Sequence, residues 1–220
     1  MASDSVHSRS AVQGKPHSAF YHTVRALLRN KFSLCGLIIL GIAIVLAVLA
    51  PWISPQNPYD LSQLDIMDGR LKPGTTSMSG MIYWLGTDDQ GRDLLSAILY
   101  GTRTSLLVGV SSAMIALTIG AALGLISAYV GGKTDALIMR IVDIQLSFPP
   151  ILIALILLAA LGQGVDKIIL ALVVTQWAYY ARTIRGSALL ERRRSYVDAA
   201  RSMALSNPRI LFRHILPNCL

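Results

Sequence analysis

Asp88, Asp89 and Asp93 fall within six positions of one polar stretch, and paired carboxylates at such spacing could serve glycoside hydrolysis or hold a metal ion. No histidine or cysteine lies close enough in sequence to complete a zinc pattern. The chain also lacks G-x-S-x-G, H-E-x-x-H and the P-loop lysine motif. Catalytic residues and metal ligands are therefore not expected, and the chain does not read as an enzyme. One further acid stands apart. Asp143 opens a long uncharged run, where acids are functional by default, yet Arg140 lies three residues before it on the same helical face. A structural Arg140–Asp143 pair is the expectation, with ion coupling through Asp143 as the alternative.

The elements that would position these groups are hydrophobic. Of 220 residues 53% are hydrophobic and only 15% charged, well below the roughly 25% charge of a soluble domain. Disorder is excluded by that hydrophobicity, and a disulfide scaffold by having two cysteines only, Cys35 and Cys219. Leu34–Ile53 is 20 residues of apolar sequence, about 30 Å as a helix, which matches a bilayer core. The polar lead before it is too long for a cleaved signal, so it reads as an uncleaved anchor. Three more uncharged runs follow, Thr104–Gly132, Ile144–Val165 and Ile168–Ala181. Unbroken apolar runs without alternation predict helices rather than a barrel, and hence an all-α integral membrane protein with four spans.

The net charge of +8 would suggest nucleic acid in a soluble protein. Here fifteen of the twenty basic residues fall in the N-terminal lead, the segment after the second run and the tail, while five fall in the remaining loops. The positive-inside rule then places the N-terminus and the tail in the cytoplasm, and no nucleic acid is needed to explain the charge. The loop 54–103 faces outward. Pro51, Pro55 and Pro58 are expected to stop the first helix. Thr87–Gln90 has the spacing of a capping box, followed by Leu94, Leu95, Ile98 and Leu99, which predicts a short amphipathic helix before the second span. Pro149-Pro150 should kink the third span, and Gly120-x-x-x-Gly124 offers a smooth packing face. In the tail, a basic helix over 186–203 and a second one starting at Asn207-Pro208 and ending before Pro217 would form a knob suited to docking in a partner's groove. A solvated loop is the other reading of this tail.

Two stretches carry a family resemblance. Trp84-Leu-Gly-Thr-Asp-Asp-Gln-Gly-Arg-Asp93, with Ser96 and the Gly101–Ser105 segment, resembles the outer-loop signature of the second permease in dipeptide, oligopeptide and nickel ABC importers. Tyr196-Val-Asp-Ala-Ala200 through His214-Ile-Leu-Pro-Asn218 resembles the cytoplasmic EAA loop of the same family. The resemblance runs from about Asn30 to the end and implies a type I ABC importer transmembrane domain. It implies a cytoplasmic segment 1–33, a first span 34–53, a periplasmic loop 54–103 and a permease core 104–220. Helices near 104–130, 141–163 and 165–184 lead to a coupling loop 185–217.

By the same resemblance, Asp198, Ala199, Ala200, Ala204, Leu205, Ser206, Ile215, Leu216 and Pro217 would engage the ATPase. Leu85, Gly86, Thr87, Asp88, Gly91, Arg92 and Asp93 would form the outer motif. The implied partners are a second permease, two ATP-binding subunits, a periplasmic solute-binding protein and the inner-membrane bilayer. ATP would be held on the partners, with no cofactor on this chain. The implied function is import of short peptides, with nickel or another small solute second. Two departures accompany the resemblance: Ala204 stands where the family usually has glycine, and the family's last two spans are not in this sequence, which suggests a truncated form. The alternatives are a stand-alone secondary transporter or channel, and a non-functional remnant.

Overall fold

The computed structural model describes residues 28–77, 80–203, 205 and 209–219. The chain divides into two compact units, residues 1–103 and 104–220. Each is built mainly of helices.

In the first unit, α1 (Lys31–Ile53) starts at Asn30, whose side chain accepts the Phe32 N–H at 3.0 Å. Its apolar side chains are exposed on every face, and only Ala47 and Ala50 are buried. A helix that is apolar all round is built for lipid. Pro51 does not stop it. The helix runs through to Ile53, and the Ser54 N–H closes it on the Ala50 carbonyl at 3.0 Å.

The polar segment after α1 is folded around buried hydrogen bonds rather than an apolar core. Two short 3₁₀ turns, Leu61–Gln63 and Ile66–Asp68, precede a two-residue antiparallel pair, β1 (Thr75–Thr76) with β2 (Ile82–Tyr83). Asp68 is buried and accepts from Ser77 Oγ at 2.6 Å and from the Tyr83 hydroxyl at 2.9 Å. Burial, and then the bond to Asp68, push the Tyr83 phenol above its ordinary pKa. Gln56, also buried, donates its side-chain amide to the Gln63 carbonyl at 2.6 Å and accepts the Asp93 N–H at 2.8 Å.

α2 (Leu94–Val130) is one helix of 37 residues. The sequence reading expects a short helix capped at Thr87 and a separate span from 104. Instead Asp93 caps the helix, accepting from Ser96 N at 2.8 Å and Ser96 Oγ at 2.6 Å. Thr87 cannot be the cap because its hydroxyl is committed elsewhere, donating to the Asp68 carbonyl at 2.5 Å and accepting the Leu71 N–H at 2.8 Å. No proline interrupts 94–130, so nothing separates the amphipathic start from the span. Replacing Asp93 by alanine is expected to cost about 1–2 kcal/mol, the loss of a buried N-cap. Limited proteolysis should then cut the 54–93 segment faster than in the wild type, and an unchanged cleavage rate would contradict this role.

In the second unit, α3 (Gly132–Ser147) and α4 (Pro150–Leu161) meet at a bend of 87°. Pro149 forces Phe148 out of helical geometry, with φ −96° and ψ 141°, and Pro150 opens the next helix, where its missing N–H costs nothing. α5 (Val165–Glu191) is the central element, contacted by both α3 and α4. Among the described residues, two helices are long and apolar enough to cross a membrane, α1 and α2, or three if the bent α3–α4 pair counts as one span. That is fewer than the four spans expected. In α5, Asp166 and Lys167 at one end and Arg182, Arg185 and Glu191 toward the other leave only Ile168–Ala181 uncharged.

α2 and α5 approach closely at Gly120 and Gly124. A Cβ at Gly120 would lie 2.6 Å from the Trp177 carbonyl oxygen, and one at Gly124 2.5 Å from that of Ala181. The buried alanines Ala178, Ala181 and Ala188 give the facing side of α5 the same smoothness. Small-on-small contact substitutes for the hydrophobic drive that lipid does not provide.

Candidate functional site

The tail folds back onto the ends of α2 and α5. After α5 the chain turns through Arg192–Arg194 into α6 (Ser195–Ser202), then a π-helical stretch Ile210–Ile215 and α7 (Leu216–Cys219). Val197, Ala200, Ile210 and Ile215 are buried in one cluster with Leu125, Ala128, Ile184 and Ala188. Leu205 and Leu216 pack on its edge. The second tail helix was expected to end before Pro217, but α7 includes it. The helical run is continuous there, so α7, with Pro217 in it, follows directly on the π-helical turn that ends at Ile215.

This burial divides the expected ATPase-coupling residues into two groups. Ala200 and Ile215 point into the chain's own core, and Leu205 and Leu216 are half-covered by it. Asp198, Ala199 and Pro217 are exposed. Ala204 and Ser206, with the Asn207-Pro208 helix start, lie outside the described residues. Met203, Arg209 and Arg213 are exposed as well and were not among the expected coupling residues. The helical period could have found Met203, which lies four residues beyond Ala199.

Two arginines tie the tail to α2 and α3. Arg185 on α5 forms a two-point ion pair with Asp135 on α3, Nε to Oδ1 at 2.5 Å and the second bond at 2.6 Å. Ser127, fully buried on α2, donates to the same carboxylate at 2.5 Å. Arg192 donates to the Ala128 carbonyl at 2.8 Å and lies 5.9 Å from the centre of the Tyr129 ring. The sequence reading did not find this clamp, because its partners stand 50 to 64 positions apart.

Asp143 does not pair with Arg140 as expected. It pairs with Arg182 of α5, and the two side chains stay about half exposed. The neighbouring helix offers a longer-range partner that one-dimensional spacing cannot reveal.

The outer motif is a fold-holding element. Gly86 has φ +82° and Gly91 φ +74°, and a Cβ at either would run into the carbonyl of Leu71 or Asp65. Asp88 accepts from the backbone N–H groups of Gln90 at 2.8 Å and Arg92 at 3.0 Å, and its side chain also pairs with Arg92 at 3.6 Å. Leu85 is exposed. Asp89 turns away to Arg70, at 2.6 Å, so the three carboxylates do not converge. Among the described residues, no group of three or more His, Cys, Asp or Glu side chains could hold a metal.

Residues 120–220 match the family described as binding-protein-dependent transport system inner membrane component, and residues 18–73 match the N-terminal TM domain of oligopeptide transport permease C. The chain is similar to the di/tripeptide transport system permease protein DppC of Pseudomonas aeruginosa, 34% identical over 212 residues, 96% of this chain and 68% of the relative. It is similar to the oligopeptide transport system permease protein OppC of Bacillus subtilis, 36% identical over 198 residues, 89% of this chain and 62% of the relative. It is also similar to the glutathione transport system permease protein GsiD of Pectobacterium atrosepticum, 39% identical over 174 residues, 79% of this chain and 56% of the relative. The chain therefore spans between 56% and 68% of the length of these relatives.

Proposed function

The chain belongs to the family of permease subunits of binding-protein-dependent peptide transport systems, and from that premise we propose that it lines the membrane path of an ABC importer for short peptides. The family is one of inner-membrane transport permeases rather than enzymes. The observation that carries the reading is the 34% identity to a di/tripeptide permease extending over 96% of this chain. In this reading a second permease completes the path, two ATP-binding subunits hydrolyse ATP, and an external solute-binding protein delivers the peptide. This chain holds no cofactor of its own. Uptake of a labelled dipeptide in cells, with and without the chain, tests the proposal. Unchanged uptake would overturn it.

The outward face of α6 is the proposed contact with an ATP-binding subunit. Asp198 and Ala199 are exposed on it and exposed Met203 follows its end, while Val197 and Ala200 fix the helix to the core. Rigid anchoring behind and exposure in front is what lets a docked partner move the helices it pushes on. Ala199→Trp or Asp198→Arg is expected to lower recovery of the ATP-binding subunit on co-purification by about tenfold, a loss of roughly 1.4 kcal/mol. The amount of inserted chain should not change. Equal recovery from wild type and both variants would remove the docking role.

The orientation follows from the distribution of basic residues. Single cysteines placed between Asp60 and Gly74 should react with impermeant reagents added to intact cells, and a cysteine at Arg193 should not. The reverse pattern would invert the topology.

A further inference from the structure

We infer that Asp143 and Arg182 form a binding site on the translocation path for the two charged ends of a zwitterionic peptide. The inference rests on the importer reading above and adds the residues that would meet the substrate.

The pair joins α3 to α5, yet its side chains remain 58% and 52% exposed. Ile141, Ile144, Phe148 and Tyr179, close to it in sequence, are exposed, while exposed Arg140 and Ser147 share the helix face of Asp143. Charges set among exposed apolar groups in a membrane protein are costly against lipid tails, and such residues face the bundle interior or a water-filled cavity. The helix then breaks. Five residues beyond Asp143 the chain bends by 87° at Phe148–Pro149, leaving Phe148 and Pro149 exposed. The two helices together are long and apolar enough to cross a membrane, and broken helices recur at transport sites.

One turn along α5, the Asp135–Arg185 pair shows what a structural clamp looks like here. It is joined at two points, carries the Ser127 hydroxyl, and is only 23% and 30% exposed. Asp143–Arg182 is joined at one point and is about twice as exposed. A carboxylate and a guanidinium held side by side are the complement of an ammonium and a carboxylate. The ends of an extended dipeptide lie about 6–7 Å apart, so they fit once the two side chains swing away from each other. The exchange replaces one ion pair by two and leaves no charge unpaired. The other charges nearby are Arg185, already engaged by Asp135, and exposed Arg140, one turn below Asp143.

The test uses the full chain with Cys35→Ser and Cys219→Ser, assembled with its partner subunits in phosphatidylcholine vesicles, where no lipid supplies a primary ammonium. A reporter cysteine replaces exposed Ser147, one turn from Asp143. An impermeant thiol reagent should modify it, and dialanine should slow that modification about fivefold or more, whereas N-acetyl-dialanine amide should not. Asp143→Asn or Arg182→Gln should abolish the protection, while the charge-keeping Asp143→Glu and Arg182→Lys should retain it. No modification, equal protection by the blocked peptide, or protection that survives both neutral variants would overturn the site. ATP-driven uptake of labelled dialanine by the same vesicles tests the importer reading separately. Uptake without protection overturns the site alone, and absence of uptake overturns the importer reading.

Discussion

Gly124→Val is expected to lower the apparent melting temperature of the purified chain by about 5–10 °C, whereas Gly109→Val should melt within about 1 °C of the wild type. Even the first added carbon at Gly124 would sit 2.5 Å from the Ala181 carbonyl oxygen and 3.1 Å from the Arg185 nitrogen. Both are backbone atoms of a helix, so no side chain can rotate out of the way. The α2 and α5 axes would have to separate by about 1 Å at the contact, and overpacking of this kind costs about 1–3 kcal/mol. The cost is felt along the interface. The neighbouring contact at Gly120 would open as well, and the buried cluster beneath the tail, which includes Leu125, Ala128, Ile184 and Ala188, would lose its packing. Gly109, on the same helix, has nothing within 4 Å of its added Cβ and controls for the helix propensity gained on removing glycine. Equal melting of the two variants would show that the close approach does not hold these helices together.

This contact also shows how far the sequence could be read. The four-residue glycine spacing marks a face for close packing, but a spacing names no partner. Ala178 and Ala181 sit more than fifty positions away, in a run that looks like any other apolar segment. Long uncharged stretches and the two prolines at 149 and 150 act locally, so α1, the body of α2 and the break between α3 and α4 were legible. The start of α2 was misplaced for a tertiary reason. Thr87 has a capping residue's chemistry, but Asp68 and Leu71 claim its hydroxyl, and Asp93 takes over the cap. The tail motif named a set of residues without ordering them. Burial separates Ala200 and Ile215, which hold the fold, from Asp198, Ala199 and Pro217, which face outward. The Asp135–Arg185 and Asp143–Arg182 pairs were the least legible feature, since in each the opposite charge lies on a different helix.

Those ion pairs yield the second large effect. Removing either side chain of the Asp135–Arg185 pair is expected to destabilise the chain by about 2 kcal/mol. That is below the 3–5 kcal/mol of a fully buried pair, because these side chains are partly exposed. Asp135→Ala leaves the guanidinium without both of its acceptors and the buried Ser127 hydroxyl without the oxygen it donates to. Arg185→Ala leaves the carboxylate with the hydroxyl alone. A double-mutant cycle on the two alanine variants should therefore give a coupling energy above about 1 kcal/mol. The same cycle on Asp143 and Arg182 should give about 0.5 kcal/mol or less, since both groups are more than half exposed and can exchange each other for water. The two pairs are one helical turn apart on α5 and use the same chemistry, so shielding is the variable being compared. Additive effects at Asp135 and Arg185 would mean that Ser127 and the backbone hold α3 in place without the ion pair. Strong coupling at Asp143 and Arg182 would mean that their contact is fixed in the folded chain, and a fixed contact has no free charges to offer a ligand.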